Sequence, residues 1–410
     1  MKKILLAHPT GNSNVRAIAE SFLNNGNLYE FHTSIASFPE NIWYKLENFN
    51  SEFGRRRFKS TLKNKTQLHP FKELGRVASQ KFRINELTKA ETGFFSIDQV
   101  YNYLDQQVAR RIRKEHENID AVYAYEDCAL ESFKVAKEFG ITCIYDLPIA
   151  YWETSRLILE EEANRLPNWA QTLGGGINDS CAKLKRKENE LKLADVVVGP
   201  GAFVLDSIPS WAKNVKTIES PFGSPNLTDS IKNTKNLSKA LRVLFVGSMG
   251  QRKGLADLFE AMKLVRGFNI ELVVLGGLLA PLSFYKKEYP HFTYESTRPQ
   301  DGVFELMRSC DVFCLPSLVE GRALVIQEAM SQGLPILITK NTGADDLVIE
   351  EETGFLVPIR SPQSIAEKLK WFEANRLKTF EMGKNAQKLA KKYTWENYGN
   401  KIILDLLKIL

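Results

Sequence analysis

The sequence has no uninterrupted apolar run of the roughly 18 residues that a membrane-spanning helix requires, and it has no internal repeat or low-complexity tract. Its first residues, MKKILLAHPTGN, contain a short apolar run that breaks at His8-Pro9 without a small-residue cleavage site. This pattern indicates a first buried strand rather than a signal peptide. We therefore expect a soluble, cytoplasmic protein.

Cysteine is scarce, and the five that occur are scattered along the chain. The closest pair, Cys310 and Cys314, lacks the CxxC spacing of a redox or zinc motif. We expect buried free thiols in a reducing compartment, with no metal site and no cofactor.

What the chain does have is an ordinary globular composition, with 43% hydrophobic and 25% charged residues. A length of 410 residues exceeds one ordinary core and predicts two domains. The net charge of +6 is unevenly placed, because residues 54–85 hold ten Lys or Arg against one acid, Glu73. A solvated basic face and contact with an anionic membrane or acceptor both remain open for this segment. Nucleic acid is disfavoured, because aromatic residues do not interleave with these charges as a stacking platform.

Apolar runs alternate with helical patterns in both halves, which is typical of βα units around parallel sheets. The predicted strands of the first half are KKILLA, LYEFH, DAVYAY, ITCIYD and ADVVVG, and those of the second are LRVLFVG, NIELVVLG, DVFCLPS and LPILIT. The predicted fold is α/β with two Rossmann-like, doubly wound domains. The predicted segments are an N-terminal domain (1–222) with a basic insertion at about 40–115, a linker (223–240), a C-terminal domain (241–390) and a final helical segment (391–410).

The stretch PSLVEGRALVIQEAMSQGLP carries the strongest local signal. It predicts Glu320 in a loop and Glu328 on the helix that follows, with the helix N-terminus between them. Free amides at a helix N-terminus suit an anion, and carboxylates suit hydroxyl groups. A sugar nucleotide has this layout, with hydroxyls at both ends and a diphosphate in the middle. Two glutamates eight positions apart also occur by chance in many helices.

A second element, VLFVGSMGQRKG, places a glycine loop and two cations after a predicted strand. Ligands of open α/β sheets bind beyond the carboxyl ends of the strands, so this loop and the Glu320 loop can face one crevice. Arg252 and Lys253 would then neutralise the diphosphate without a metal. Each alone would be an ordinary surface cation.

The order VGSMGQRKG, CDVFCLPSLVEGRALVIQEAMSQGLPILIT, TGADDL and TGFLVP, over about residues 241–375, resembles the donor-binding domain of family 4 retaining glycosyltransferases, which have the GT-B fold. The resemblance implies two domains that face a central cleft. It also implies that Glu320 binds the hydroxyls of the transferred sugar, that Glu328 binds the ribose and that Lys253 binds the diphosphate. The full predicted donor set is Gly247, Ser248, Arg252, Lys253, Arg298, Pro299, Glu320, Gly321, Arg322, Ala323, Leu324 and Glu328.

Three positions depart from the family pattern. Ser248 stands where the family commonly has arginine, and Arg252 can supply that charge. Arg322 and Ala323 stand where an apolar residue and glycine are usual, which can alter donor preference. In the loop ESTRPQDG, Arg298 and Pro299 are the candidates for contact with the base.

The resemblance places the acceptor on the first domain, where the match is weaker. The predicted acceptor-binding residues are His8, Gly11, Asn12, Glu126 and Asp127. Many relatives have a histidine near the ends of the DAVYAY and ITCIYD strands, and this chain offers acids there instead. Asp146 is the candidate polar group near the reacting carbon, and a turn-capping role before Pro148 is the plain alternative.

The implied reaction is transfer of a sugar from a nucleoside-diphosphate sugar, UDP- or GDP-linked, to a hydroxyl of a glycan, a lipid-linked or a small-molecule acceptor, with retained anomeric configuration. The predicted catalytic residues are Lys253, Arg252, Glu320 and Asp146. No DxD pair follows a predicted strand, since Asp345 and Asp346 are adjacent, so metal-independent chemistry is expected. A non-catalytic sugar-nucleotide-binding protein and a GT-B-like epimerase or phosphorylase remain alternatives. The aromatic residues Tyr393 and Trp395 are expected to anchor the final helix on the first domain.

Overall fold

A computed structural model describes residues 1–39, 41, 43, 54, 56–225 and 239–410. The chain forms two parallel sheets, each covered by helices on both faces. Near-continuous apolar runs such as ILLA and VLFV build their central strands, as expected where a strand is buried on both faces. The predicted α/β class with two doubly wound units is confirmed.

The N-terminal sheet has seven parallel strands in the order β3-β2-β1-β4-β5-β6-β7. The order reverses beside β1, which places a crevice beyond the carboxyl ends of β1 and β4. The strands are β1 (Ile4–Ala7), β2 (Leu28–Thr33), β3 (Thr66–Leu68), β4 (Ala121–Tyr125), β5 (Thr142–Asp146), β6 (Val196–Gly199) and β7 (Lys216–Glu219).

The C-terminal sheet has six parallel strands in the order β10-β9-β8-β11-β12-β13. Its strand order reverses beside β8, so the loops after β8 and β11 face one crevice. The strands are β8 (Leu241–Val246), β9 (Ile270–Leu275), β10 (Phe292–Glu295), β11 (Val312–Leu315), β12 (Ile336–Ile338) and β13 (Gly354–Leu356).

The helices cover both sheets, and several begin at side-chain caps. Ser96, Ser180, Ser361 and Thr394 each accept a backbone N–H in the first turn of a helix. The helices are α1 (Ser13–Asn24), α2 (Phe71–Lys81), α3 (Asn85–Thr88), α4 (Ile97–Glu115), α5 (Leu130–Glu138), α6 (Trp152–Arg165), α7 (Cys181–Leu193), α8 (Ala202–Asp206), α9 (Leu255–Leu264), α10 (Leu282–Glu288), α11 (Gln300–Arg308), α12 (Leu324–Ser331), α13 (Pro362–Ala374), α14 (Arg376–Ala390) and α15 (Trp395–Ile409).

Helix α15 packs on the N-terminal domain although it follows the C-terminal one. Its buried residues Tyr398, Ile402 and Ile403 belong to the same core cluster as Phe22 on α1. At Gly399 a Cβ would lie 2.6 Å from the carbonyl oxygen of Ala17, so the two helices meet at backbone distance. Trp395 also packs on Phe222, with ring centroids 5.8 Å apart.

Helix α6 bridges the two domains. Near its start, Thr154 Oγ1 donates to the carbonyl of Ser207 in the N-terminal domain at 3.2 Å. At its end, Arg165 pairs with Asp257 of the C-terminal domain at 2.8 Å. The short 3₁₀ helix that follows carries Trp169, which is 3% exposed and lies in the core of the C-terminal domain. Part of the first half of the chain therefore completes the second domain.

The structure adds four short strands to those predicted from sequence: β3, β7, β10 and β13. Each has three or four residues, too few for a periodic pattern. One prediction about the thiols is wrong, because Cys181 at the start of α7 is exposed while the other four cysteines are buried. Of the predicted linker 223–240, residues 226–238 lie outside the described residues.

Candidate active site

The loop after β8 places two cations at the crevice. Gly247 ends the strand with a φ of 153°, and a Cβ there would lie 3.5 Å from Lys253 Cε, so the lysine stem passes over the glycine. Half-buried Ser248 follows, and Gln251–Lys253 form one 3₁₀ turn. Gly254 closes the turn in the left-handed region, with φ 74°.

Glu320 is held by both cations of this loop. Its Oε1 lies 2.5 Å from Lys253 Nζ and 3.0 Å from Arg252 Nη1, and the residue is 8% exposed. Arg252 Nη1 also donates to the carbonyl of Val319 at 2.8 Å. The sequence interpretation placed both cations on a diphosphate, and the structure adds their pairing with Glu320. Two cations against one carboxylate leave the cluster with a net positive charge.

The N-terminus of α12 lies directly after this cluster. Among the described residues, the amides of Gly321, Arg322, Leu324 and Val325 have no acceptor within the protein. The amide of Ala323 donates to the carbonyl of Thr342 at 3.1 Å, so it is removed from the predicted anion-binding set. The remaining amides and the positive end of the α12 dipole still favour an anion at this point.

Glu328 marks the other end of the donor side. It is half-buried on α12, and burial raises the pKa of its carboxyl, with a hydrogen bond from Gln300 as a smaller opposing effect. Gln300 begins α11, directly after Pro299. The loop predicted to contact a base is therefore next to the predicted ribose acid. Arg298 is exposed in this loop and pairs with Glu295.

The side chain of Arg322 has a structural role. It is fully buried, donates to both carboxyl oxygens of Asp346 at 2.7 and 3.0 Å, and lies 5.3 Å from the ring centroid of Tyr393. Its Nε donates to Gln327 at 3.0 Å. At this position the chain departs from the family pattern, and the Arg322 side chain makes internal contacts. Only the backbone amide of Arg322 is then free to contact a donor.

Gln251 fixes the cationic loop to helix α6. Its side-chain amide donates to Glu162 at 2.5 Å and to Asp257 at 2.9 Å, and its backbone N–H donates to Thr172 Oγ1 at 3.0 Å. Gln251 and Glu162 are fully buried. The sequence interpretation missed this contact because the partners lie about 90 positions apart. The position of Arg252 and Lys253 thus depends on α6.

A cavity of about 440 Å³ separates Glu320 from the N-terminal domain. Its N-terminal wall includes Glu126, Asp127 and Lys183, and its C-terminal wall includes Arg252 and Glu320. A neighbouring cavity of about 210 Å³ also touches Glu126 and Arg252 and has a more apolar lining, with Trp152, Leu159 and Leu173. Arg252 lies where the two cavities meet.

Comparison with known families finds a match over the C-terminal part of the chain. Residues 228–389 match the family described as "Glycosyl transferases group 1". This part of the chain is therefore similar to the group 1 glycosyltransferases. An uncharacterised glycosyltransferase of Methanocaldococcus jannaschii is 29% identical over 155 residues, which cover 37% of this chain and 44% of that protein. The capsular polysaccharide biosynthesis glycosyltransferase CapM of Staphylococcus aureus is 29% identical over 144 residues, covering 34% and 38% of the two chains. These alignments span less than half the length of either relative.

Solved structures share the whole architecture of this chain. Sucrose-phosphate synthase from Thermosynechococcus elongatus superposes with a TM-score of 0.65 at 16% identity, covering 100% of this chain and 99% of that one. HepE of Anabaena, in complex with UDP, superposes with a TM-score of 0.59 at 16% identity over both full chains. The fold is GT-B, as the sequence resemblance implied. Membership of family 4 stays a prediction.

The N-terminal wall of the 440 Å³ cavity includes part of a buried ion cluster. Lys187 Nζ lies 3.0 Å from both Glu126 Oε1 and Asp127 Oδ2. Burial lowers the pKa of Lys187, but the two carboxylates outweigh it and the net pKa is raised. Burial raises the pKa of Glu126, with Lys187 opposing. Glu126 and Asp127 were predicted to contact an acceptor, whereas the sequence analysis did not select Lys187.

The backbone at Asp127 is strained, with φ 67°. Glu190 holds this turn by accepting the amides of Asp127, Ala129 and Leu130 at 2.9, 3.1 and 3.2 Å. Burial raises the pKa of Glu190 to about 8, with Arg186 opposing. With this backbone conformation, Asp127 lines the 440 Å³ cavity.

Three predicted acceptor residues lie elsewhere. Burial lowers the pKa of His8 to about 3, and its Nδ1 accepts the amide of Thr10 at 3.2 Å. At Gly11 a Cβ would lie 2.8 Å from Arg56 Cα, so this glycine makes room for the inserted segment. Asn12 precedes α1 and is exposed. None of the three lines either described cavity, although His8 packs on Tyr125, which lines the larger one, and their acceptor role stays a prediction.

Asp146 is also corrected. Its carboxyl faces Tyr123 and Tyr398 beneath α15, and burial raises its pKa to about 7. Ile144, two residues earlier, belongs to the core on that same face of the sheet. Asp146 is therefore buried beneath α15, and it lines neither described cavity.

Within the described residues, no group of three or more His, Cys, Asp or Glu side chains is arranged to hold a metal ion. Asp345 and Asp346 lie in a 3₁₀ turn, and Asp346 pairs with Arg322. Across the same part of the chain, no helix is both long and apolar enough to cross a bilayer.

Proposed function

We propose that this protein is a retaining, metal-independent glycosyltransferase that moves a sugar from a nucleoside-diphosphate sugar to an acceptor hydroxyl. The observation that carries the proposal is the cluster of Lys253, Arg252 and Glu320 at the free N-terminus of α12, across a cavity from the acidic wall of the other domain. Cations and free amides converge there on a space that suits a diphosphate, beside a carboxylate that suits sugar hydroxyls.

In the proposed reaction, the bond between the anomeric carbon and the diphosphate oxygen breaks, and a bond to the acceptor oxygen forms on the same face. The proton of the acceptor hydroxyl goes to the departing phosphate oxygen. Lys253, Arg252 and the α12 amides stabilise the negative charge that develops on that oxygen. Glu320 orients the sugar by accepting its hydroxyls, and Glu328 does so for the ribose.

The acceptor occupies the 440 Å³ cavity in this proposal. Glu126 and Asp127 accept hydroxyl groups there, and Lys187 pairs with both carboxylates. Interleaved carboxylates and ammonium groups of this kind suit a polyhydroxyl acceptor group.

A UDP-sugar is the expected donor, because HepE, which shares the fold, has been crystallised with UDP and with UDP-glucose. A thermal-shift panel of UDP-, GDP- and ADP-glucose tests this choice, since a ligand at 100 times its Kd stabilises by about 2.7 kcal/mol. We expect the UDP-sugar to give the largest shift. A panel in which none of the sugar nucleotides shifts the melting temperature would refute the donor site.

Turnover then separates the proposal from its rivals. We expect slow hydrolysis of the bound donor and full activity in EDTA. With an added acceptor, we expect a product that keeps the anomeric configuration of the donor, as measured by NMR. Donor binding without hydrolysis or transfer would identify a non-catalytic binding protein. Turnover that needs no acceptor or needs phosphate would identify an epimerase or phosphorylase. Complete loss of activity on chelation would refute metal independence.

A further inference from the structure

Helix α2 presents its apolar face to solvent and its charged face to the protein. The buried residues of α2 (Phe71–Lys81) are Lys72, Glu73 and Ser79. On the outer face, Phe71 is 55% exposed, and Phe82, directly after the helix, is 72% exposed. Phe71 and Phe82 are eleven positions apart, which is three helical turns, so they share one side of the helix. Water-soluble helices have the opposite arrangement.

The inner contacts fix this orientation. Glu73 is 2% exposed and pairs with both Arg56 and Arg76. Lys72 Nζ donates to the carbonyl of Phe94 at 2.9 Å and lies 3.1 Å from the centroid of the Phe94 ring. Because these charges are satisfied inside, rotating α2 to hide its phenylalanines would leave buried charges unpaired. The outward apolar face is therefore a stable feature of the fold.

The apolar face continues onto the segment that follows α2. Ile84, Phe94 and Ile97 are 47%, 55% and 51% exposed. The rings of Phe71 and Phe94 both contact Phe95, with centroid distances of 6.1 and 4.9 Å. We call this set, Phe71, Phe82, Ile84, Phe94 and Ile97, the apolar face. An exposed apolar patch of this kind marks an interaction site.

The chain segment that contains the apolar face is rich in exposed cations. The exposed ones are Lys63, Lys65, Lys81, Arg83 and Lys89. Arg56, Lys72 and Arg76, which the sequence analysis counted in the same basic segment, are engaged inside. Of the acids in the same segment, Glu86 is exposed, and Glu91 accepts the amide of Ser180 at 2.9 Å. An apolar centre with a basic fringe complements an anionic lipid surface, where the rings enter the acyl boundary and the cations meet the headgroups.

We propose that the apolar face docks this protein on an anionic membrane, with the side chains of Phe71 and Phe82 inserted below the headgroups. Ile97 belongs both to this face and to the lining of the 440 Å³ cavity. Docking therefore brings the acceptor side of the cavity next to the lipid surface. The proposal does not depend on catalysis, because binding to lipid can be measured without donor or acceptor.

Co-sedimentation with vesicles tests the proposal. The probes are phosphatidylcholine vesicles with and without about 30% phosphatidylglycerol, at low and high salt. We expect wild type to bind the anionic vesicles at low salt, to bind less at high salt, and to bind neutral vesicles weakly. The variants Phe71→Ser/Phe82→Ser and Lys81→Glu/Arg83→Glu should each weaken binding about tenfold or more. The matched control is Phe268→Ser/Leu377→Ser, which removes exposed apolar side chains from the C-terminal domain.

Several outcomes would overturn the proposal. Failure of wild type to bind anionic vesicles refutes it, and so does binding that both the serine and the charge-reversal variants retain. Loss of binding in the Phe268→Ser/Leu377→Ser control moves the lipid contact to the other domain. Concentration-dependent dimerisation that Phe71→Ser/Phe82→Ser abolishes, without vesicle binding, assigns the face to a second copy of the chain. If the serine variant does not fold, the charge-reversal variant and the salt dependence of wild type still decide.

Discussion

Replacing Lys253 with alanine should lower kcat/KM for sugar transfer by about two to three orders of magnitude. The ammonium lies 2.5 Å from Glu320 Oε1, at the N-terminus of α12. Two unit charges 4 Å apart near a protein surface interact by about 4 kcal/mol, and 1.36 kcal/mol corresponds to a factor of ten in rate. Loss of the full interaction between Lys253 and the departing diphosphate would therefore lower the rate about a thousandfold. Arg252 remains and offsets part of the loss, which sets the lower bound.

The same reasoning predicts that the fold tolerates the change. Glu320 keeps Arg252 Nη1 at 3.0 Å, so its carboxylate does not become an unpaired buried charge. The assay is the initial rate of nucleoside diphosphate release as a function of sugar-nucleotide concentration, which gives kcat/KM, with donor affinity from calorimetry and melting temperature in parallel. Lys263→Ala is the matched control, because Lys263 is an exposed cation on α9 that pairs with Glu260 away from the cavity. Turnover of the Lys253→Ala variant within a few-fold of that control would remove Lys253 from the mechanism.

Three further predictions concern donor affinity, pH and stability. Glu328→Gln should raise the donor KM about tenfold and leave kcat within a few-fold, because a ribose contact is present in both ground and transition states; an unchanged KM would exclude the contact. Asp146→Asn should keep transfer activity, and its stability relative to wild type should rise with pH between about 4 and 7, by up to about 1.4 kcal/mol per unit. The reason is that the pKa of Asp146 in the folded protein, about 7, lies above its unfolded value, so wild type loses stability as pH rises through that window. Denaturant titrations at several pH values measure this stability difference. Loss of transfer activity in the variant would restore Asp146 to the site. Trp169→Ala should lower the free energy of unfolding by about 3–5 kcal/mol, measured by denaturant titration, because it opens a cavity in the core of the C-terminal domain; a loss below about 1 kcal/mol would contradict the packing described.

The sequence was informative where function depends on neighbouring residues. The loop from Gly247 to Lys253 and the run from Glu320 to Glu328 are each one strand end and one helix start, so short motifs predicted both. It was less informative where contacts join distant positions. Nothing local shows that Gln251 bonds to Glu162 or that Lys187 faces Glu126.

The errors on the acceptor side have physical causes. Position at the end of a strand was taken as sufficient for Asp146, whereas its burial depends on Tyr398 of α15, from the far end of the chain. The loop that contains His8 and Gly11 is covered by the inserted segment at Arg56, and that contact depends on chain folding over more than 40 residues. The basic segment was predicted from its charge, whereas the feature that distinguishes it is the outward apolar side of α2.

Helix α6 fixes the distance between the two domains on either side of the crevice. Its fourteen residues span about 21 Å, with one end fixed at Ser207 and the other at Asp257 and Gln251. Inserting a single residue would lengthen α6 by about 1.5 Å and rotate its far end by about 100°, which would separate Glu162 from the loop that carries Arg252 and Lys253. The distance between the two walls of the crevice therefore depends on the number of residues in α6. The helix should tolerate substitution on its exposed side far better than any change in length.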